Sequence, residues 1–247
     1  MNELFGVLGL IASVTLGASI VFFLEQKKGK ALIKPLLSFS GGFLLAIAFI
    51  HFIPEIYKNN TESFGVYILI GFLMQLVLEY FTGGIEHGHV HVHKENKGKL
   101  PWGLLISLSI HSILEGIPLE AQFHHDPSGT MEVHNHSGMA LLLAIILHKI
   151  PEAIALTTLF VKSEWKKTNI IIVLAIFALM SPLGVALGHF APFIVANFSI
   201  DIILAIVVGM FLHISTTIIF ETSEGHKFNL VKLLSLLAGA FLAMLMH

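Results

Sequence analysis

The chain has 247 residues, of which 55% are hydrophobic and only 12% charged, and its formal net charge is -2. A soluble domain carries roughly 25% charged residues, so this composition excludes an ordinary water-solvated fold and predicts one polytopic all-α domain whose main solvent is lipid. The absence of cysteine excludes disulfides, thiolate metal sites and c-type haem attachment, and leaves nitrogen and oxygen as the only metal ligands. Fifteen histidines stand beside sixteen Asp plus Glu, an excess that asks for a chemical reason.

A bilayer core of about 30 Å takes about 20 apolar residues per helical span. Apolar runs between polar breaks predict eight spans, near 3–24, 33–57, 64–85, 101–123, 137–161, 168–190, 199–220 and 229–246. Met1-Asn2-Glu3 puts no basic segment ahead of the first run, so that span is expected to be retained rather than cleaved as a signal, and no soluble catalytic domain is expected. The fourteen basic residues are all lysine. Lys27, Lys28, Lys30 and Lys34 fall at the first loop, Lys94, Lys97 and Lys99 at the third, Lys162, Lys166 and Lys167 at the fifth, and Lys227 and Lys232 at the seventh; the even loops hold Lys58 alone. By the positive-inside rule the odd loops are cytoplasmic and both termini lie outside, in a plasma or bacterial inner membrane. An inverted repeat flanking a central pair of spans would suit this topology, although no residue-level repeat is visible.

Two segments are rich in histidine. The cytoplasmic loop 86–99 carries His87, His89, His91 and His93 at alternate positions, and the outer loop 124–136 carries His124, His125, Asp126, His134 and His136. Each reads either as a solvated linker or as a metal-gathering segment, and neither calls for regular structure.

Ionisable residues inside a span cost about 2.5–3.5 kcal/mol each on insertion scales and usually line a pathway. Here they recur as His-x-x-x-Glu: His51 and Glu55 late in span 2, His111 and Glu115 in the middle of span 4, His148 and Glu152 in the middle of span 5. Residues four apart share a helix face, close enough to reach one ion. One such pair also serves as an internal hydrogen bond; two at mid-span on consecutive helices favour a metal held by two imidazoles and two carboxylates, which suits Zn²⁺, Fe²⁺ or Mn²⁺ better than Mg²⁺. Pro54 and Pro151 lack an N–H and free the carbonyls of Ile50 and Leu147, while Gly116 and Pro118 follow Glu115, so spans 4 and 5 are expected to form a discontinuous pair. His213, with Ser215, Thr216 and Thr217 on span 7, either lines the inner half of a route or packs ordinarily. His189 reads as an interfacial residue.

Taken together, His111-Ser-Ile-Leu-Glu-Gly116, His148-Lys-Ile-Pro-Glu152, His51-Phe-Ile-Pro-Glu55, Ser181-Pro-Leu-Gly184 and Phe211-Leu-His-Ile-Ser215 resemble the Zrt/Irt-like zinc and iron permeases, the ZIP family. The resemblance implies eight helices arranged three plus two plus three, outward-facing termini, a histidine-bearing loop between helices 3 and 4, and metal uptake into the cytoplasm. Some members hold two adjacent metals through residues that here are Ser112 and Lys149. An ammonium there would repel a second dication, so a single metal is expected, flanked by Lys149. The implied cargo is Zn²⁺, with Fe²⁺, Mn²⁺ and Cd²⁺ as alternatives. Expected partners are the metal ions, membrane lipid and a second copy of the chain as a homodimer; no nucleic-acid partner is expected. The rival readings are an intramembrane zinc hydrolase, for which no His-Glu-x-x-His is present, and a haem carrier, which would leave the paired glutamates without a role.

Overall fold

In a lipid environment a backbone N–H or C=O cannot turn to water, so a spanning segment satisfies its own hydrogen bonds by becoming a helix. The computed structural model follows that constraint. It describes residues 3–23, 26–59, 64–82, 102–123, 134–195, 199–221 and 230–246, and all regular structure among them is helical. The elements are α1 (Glu3–Phe23), α2 (Gln26–Ile47), a π-helical turn (Ala48–Phe52), α3 (Ile53–Asn59), α4 (Phe64–Thr82), α5 (Trp102–Phe123), α6 (His134–Lys162), α7 (Lys167–Ile194), α8 (Ile200–Glu221) and α9 (Leu230–Leu245). Among the described residues seven spans, not the expected eight, are long and apolar enough to cross a membrane, Ile33–Lys58 being built from α2, the π turn and α3; α9, at the place of the expected eighth, is a shorter apolar helix of 16 residues.

Beyond that count, sequence and structure differ at two further places. The helix α6 has 29 residues, about 44 Å at 1.5 Å per residue, against a hydrocarbon core of about 30 Å. Its polar first turn, His134-Asn-His136, precedes the apolar stretch Gly138–Lys162, so the outer loop predicted over 124–136 ends in helix. Residues 124–133 and the histidine segment 86–99 lie outside the described residues. The second difference concerns proline. Pro118 and Pro151 sit inside uninterrupted α-helices, so the discontinuity expected in spans 4 and 5 is absent there, while span 2, where Pro54 is also expected to disturb the helix, does carry one. Ile53 donates its N–H to Ala48 O, a five-residue step that widens the turn just before Pro54, where the ring lacks an N–H and would clash with the preceding turn. His51 is buried in that widened turn.

Between lipid-soaked helices there is no water to expel, and association rests on close packing of small residues. The four most extensive helix pairings are α2 with α9, α5 with α7, α4 with α8, and α1 with α6. Three of them meet at reciprocal glycines. A Cβ on Gly42 would strike Leu236 O and one on Gly239 would strike Phe39 O; Gly71 and Gly209 stand likewise against Ile206 O and Ile68 O, and Gly116 and Gly184 against Ser181 O and Ile113 O. Gly116 follows Glu115 directly, so the α5–α7 crossing sets the depth and rotation of the helix face that carries His111 and Glu115. The α6 helix is the most enclosed, with 72% of its apolar window buried against 22% for α4.

The crossing makes a prediction. Gly184→Leu forces a side chain into Ile113 O and is expected to lower stability by about 1–3 kcal/mol, the usual cost of overpacking. Gly103→Ala, whose added carbon meets nothing nearer than 3.7 Å, should change little. Thermal unfolding in detergent followed by size-exclusion chromatography compares the two, and equal melting temperatures would refute the close-approach account.

Candidate metal site

Two helices, α5 and α6, each present a His and a Glu four residues apart, and the two faces oppose one another inside the bundle. His111, Glu115, His148 and Glu152 are all buried. Glu115 Oε1 lies 2.7 Å from His111 Nε2 and 2.8 Å from His148 Nε2, and His111 Nε2 lies 3.6 Å from Glu152 Oε1. One ligand atom from each of His111, His148 and Glu152 falls within 4.8 Å of the others.

The direction of the imidazole lone pair follows from the far side of the ring. His148 Nδ1 is 2.7 Å from Ala144 O. A carbonyl oxygen only accepts, so Nδ1 carries a proton, and in the neutral ring Nε2 faces the centre with its lone pair. Despite their separation, His148 Nε2 and Glu115 Oε1 make no hydrogen bond of proper geometry. A lone pair and a carboxylate oxygen enclosed this closely repel one another unless a cation lies against both. Two imidazole nitrogens plus carboxylate oxygens form a donor set suited to borderline dications, zinc among them.

A cation of the chain's own stands on the other side of the carboxylates. Lys149 is fully buried, and its Nζ donates to Ser112 Oγ at 2.9 Å and to Glu115 Oε2 at 3.2 Å, lies 3.6 Å from Glu152 Oε2, and sits 5.2 Å from the centroid of the Phe177 ring. The ammonium thus bridges the outer oxygens of both glutamates while their inner oxygens face the histidines. Ser112 and Lys149 are therefore part of the same cluster as the four candidate ligands.

The remaining candidates lie elsewhere. His51 and Glu55 occupy the π turn and α3 and are not among the atoms that converge within 4.8 Å. His213 on α8 approaches Glu79 on α4 through Nε2 and Oε2, with Thr217 Oγ1 at 3.5 Å from the same nitrogen and the Phe72 ring edge-on at 4.8 Å. His189, half-exposed, pairs with Glu120 at 3.0 Å. His87, His89, His91 and His93 lie outside the described residues. Sequence reasoning passed over two residues of α4: Gln75, whose Oε1 is 3.0 Å from His111 Nδ1, and Glu79. Both were visible as polar residues four apart within an apolar span, the same signal that singled out the His-x-x-x-Glu pairs.

The family model described as ZIP zinc transporter matches residues 91–247. Protein zntD of Dictyostelium discoideum is 30% identical over 171 residues, which cover 63% of this chain and 24% of that protein. Zinc transporter ZIP1 of Danio rerio is 29% identical over 43% of this chain and 32% of its own length, and Zinc transporter ZIP1 of Plasmodium falciparum is 24% identical over 68% of this chain and 64% of its own length. The chain thus spans from about a quarter to just under two thirds of these relatives. The family match runs through well over half of the sequence and contains all four converging side chains, and the chain belongs to the ZIP zinc transporter family.

Proposed function

We propose that the chain carries a divalent metal ion, zinc first with iron, manganese and cadmium as competing cargo, across the membrane into the cytoplasm through His111, Glu115, His148 and Glu152. The observation that carries this reading is the convergence of two imidazole nitrogens and the oxygens of two buried carboxylates between two adjacent helices. Two of the relatives are named zinc transporters, which favours zinc as the cargo. The family is one of transporters, not enzymes, so the hydrolase reading falls away.

Eight spans in a three-plus-two-plus-three order fit the helix pairings. Exchanging spans 1 with 6, 2 with 7, 3 with 8 and 4 with 5 turns the α2–α9 pair into α8–α4 and the α5–α7 pair into α6–α1, so the four strongest pairings map onto one another as an inverted repeat requires. The lysine distribution puts both termini outside. Cargo then enters from the outer histidine segment, passes His51 and Glu55, rests at the central site, and leaves past His213 toward His87, His89, His91 and His93. Exposed Leu69, Ile172 and Leu237 face the acyl chains of the surrounding membrane lipid.

Lys149 limits the site to one ion. Its Nζ occupies the outer face of both glutamates, where a second dication would have to sit, and like charges a few ångströms apart in a poorly screened interior repel strongly. Equilibrium dialysis against zinc should therefore find a single ion held by the wild-type central site and a pair in Lys149→Asp; an unchanged stoichiometry in the variant would remove the lysine from this role.

Transport itself is tested with radioactive zinc and sealed proteoliposomes. Uptake should be saturable, reduced by competing iron, manganese or cadmium, and lost in His148→Ala and in Glu152→Ala. Zinc that binds stoichiometrically yet never enters the vesicle lumen would overturn the proposal.

A further inference from the structure

We infer that Gln75 is a positioning residue for the cargo site: from α4 it sets the tautomer and the aim of His111 without itself touching the metal. The inference rests on the reading that His111 is a ligand, and it adds a helix that supplies none of the four proposed ligands.

The side chain of Gln75 is fully buried in a span whose other polar side chain, the tyrosines aside, is Glu79, one turn on. A buried amide is unfavourable unless its polar atoms are satisfied, and the structure shows what its oxygen meets. Oε1 lies 3.0 Å from His111 Nδ1. An amide oxygen has no proton to give, so in the neutral ring, the form that binds metal, Nδ1 is the protonated nitrogen and Nε2 keeps its lone pair. That Nε2 is the atom 2.7 Å from Glu115 Oε1 and 3.6 Å from Glu152 Oε1. The two histidines thus reach the same electronic state by different means. His148 uses the carbonyl of Ala144 one turn back on its own helix, whereas His111 relies on another helix.

The neighbouring contacts keep Gln75 in register. Ser107 Oγ donates to Leu78 O at 2.7 Å. Ser107 and His111 are one turn apart on α5, and Leu78 and Gln75 one turn apart on α4, so two hydrogen bonds lock the helices in rotation at the level of the site. Without the acceptor at position 75, His111 is free to move its proton to Nε2 and donate it to Glu115, which fills the lone pair that a metal needs. Metal-bound histidines characteristically donate their second N–H to such a partner, and loss of that partner typically weakens metal binding 10–100-fold.

The test is zinc affinity of the full chain in detergent, measured by competition with a chelating dye, for Gln75→Leu, Gln75→Asn and Gln75→Glu beside wild type and His148→Ala. Gln75→Leu removes the acceptor, Gln75→Asn withdraws it by one methylene, and Gln75→Glu keeps it in place. The expected order is glutamate at least as tight as wild type, with asparagine and leucine weaker by roughly 10–100-fold. A residue that only fills space would give the reverse order, because a buried carboxylate is the worst replacement for packing and leucine the mildest. Affinity unchanged in Gln75→Leu, or weaker in Gln75→Glu than in Gln75→Leu, overturns the inference while leaving the metal site intact. Zinc binding that ignores His148→Ala as well overturns the site and the inference together.

Discussion

Two carboxylates buried at the middle of membrane-embedded helices are the constraint around which this molecule is arranged. An ion removed from water into a low-dielectric interior loses several kcal/mol of solvation that only close opposite charge and good hydrogen bonds return. Glu115 and Glu152 meet that requirement asymmetrically. Their outer oxygens face the Lys149 ammonium, while an inner oxygen of each turns toward the histidine nitrogens. The lysine offsets the buried negative charge, and the histidine nitrogens line the opposite side of the carboxylates.

On the proposed transport reading, the charge balance bears on how cargo is released. Two carboxylates and one ammonium leave one net negative charge, and a bound dication converts it to one net positive charge. The net negative charge favours a cation, and the ammonium close by weakens that attraction. Conduction of an ion needs binding tight enough to select and weak enough to leave. A site with the same donors and no lysine would hold its metal more firmly and would invite a second. On that reading Lys149 serves turnover as well as stability.

Such a site works only if the helices that hold it are fixed to within a fraction of an ångström, and lipid supplies no hydrophobic force to clamp them. Glycine contact replaces it. The α5–α7 crossing at Gly116 and Gly184 brings backbone against backbone one residue from Glu115, and the α4–α8 crossing at Gly71 and Gly209 anchors the helix from which Gln75 and Glu79 reach their histidines. The same close packing explains why α4, the most exposed of the long spans, nevertheless carries a polar stripe. Its inward face touches the site and its outward face meets lipid.

The amino-acid sequence by itself determined the membrane class, the helical nature of the spans and the residue types at the centre. Lipid permits few backbone solutions, and a His-x-x-x-Glu repeated at mid-span has few innocent explanations. It also pointed to Lys149 as the group facing any second ion. What only the tertiary structure decided are relations between helices. Proline at positions 54, 118 and 151 reads alike in sequence as a disturbance, yet the helices of Pro118 and Pro151 run on and only the span of Pro54 widens, at His51. The glycines of α5 and α7, or of α4 and α8, are unremarkable until the chain brings them face to face. Gln75 and Glu79 are separated from His111 and His213 by 36 and 134 residues, and local periodicity carries no information about which distant helix will present an imidazole to them; that pairing is set by packing of the whole bundle.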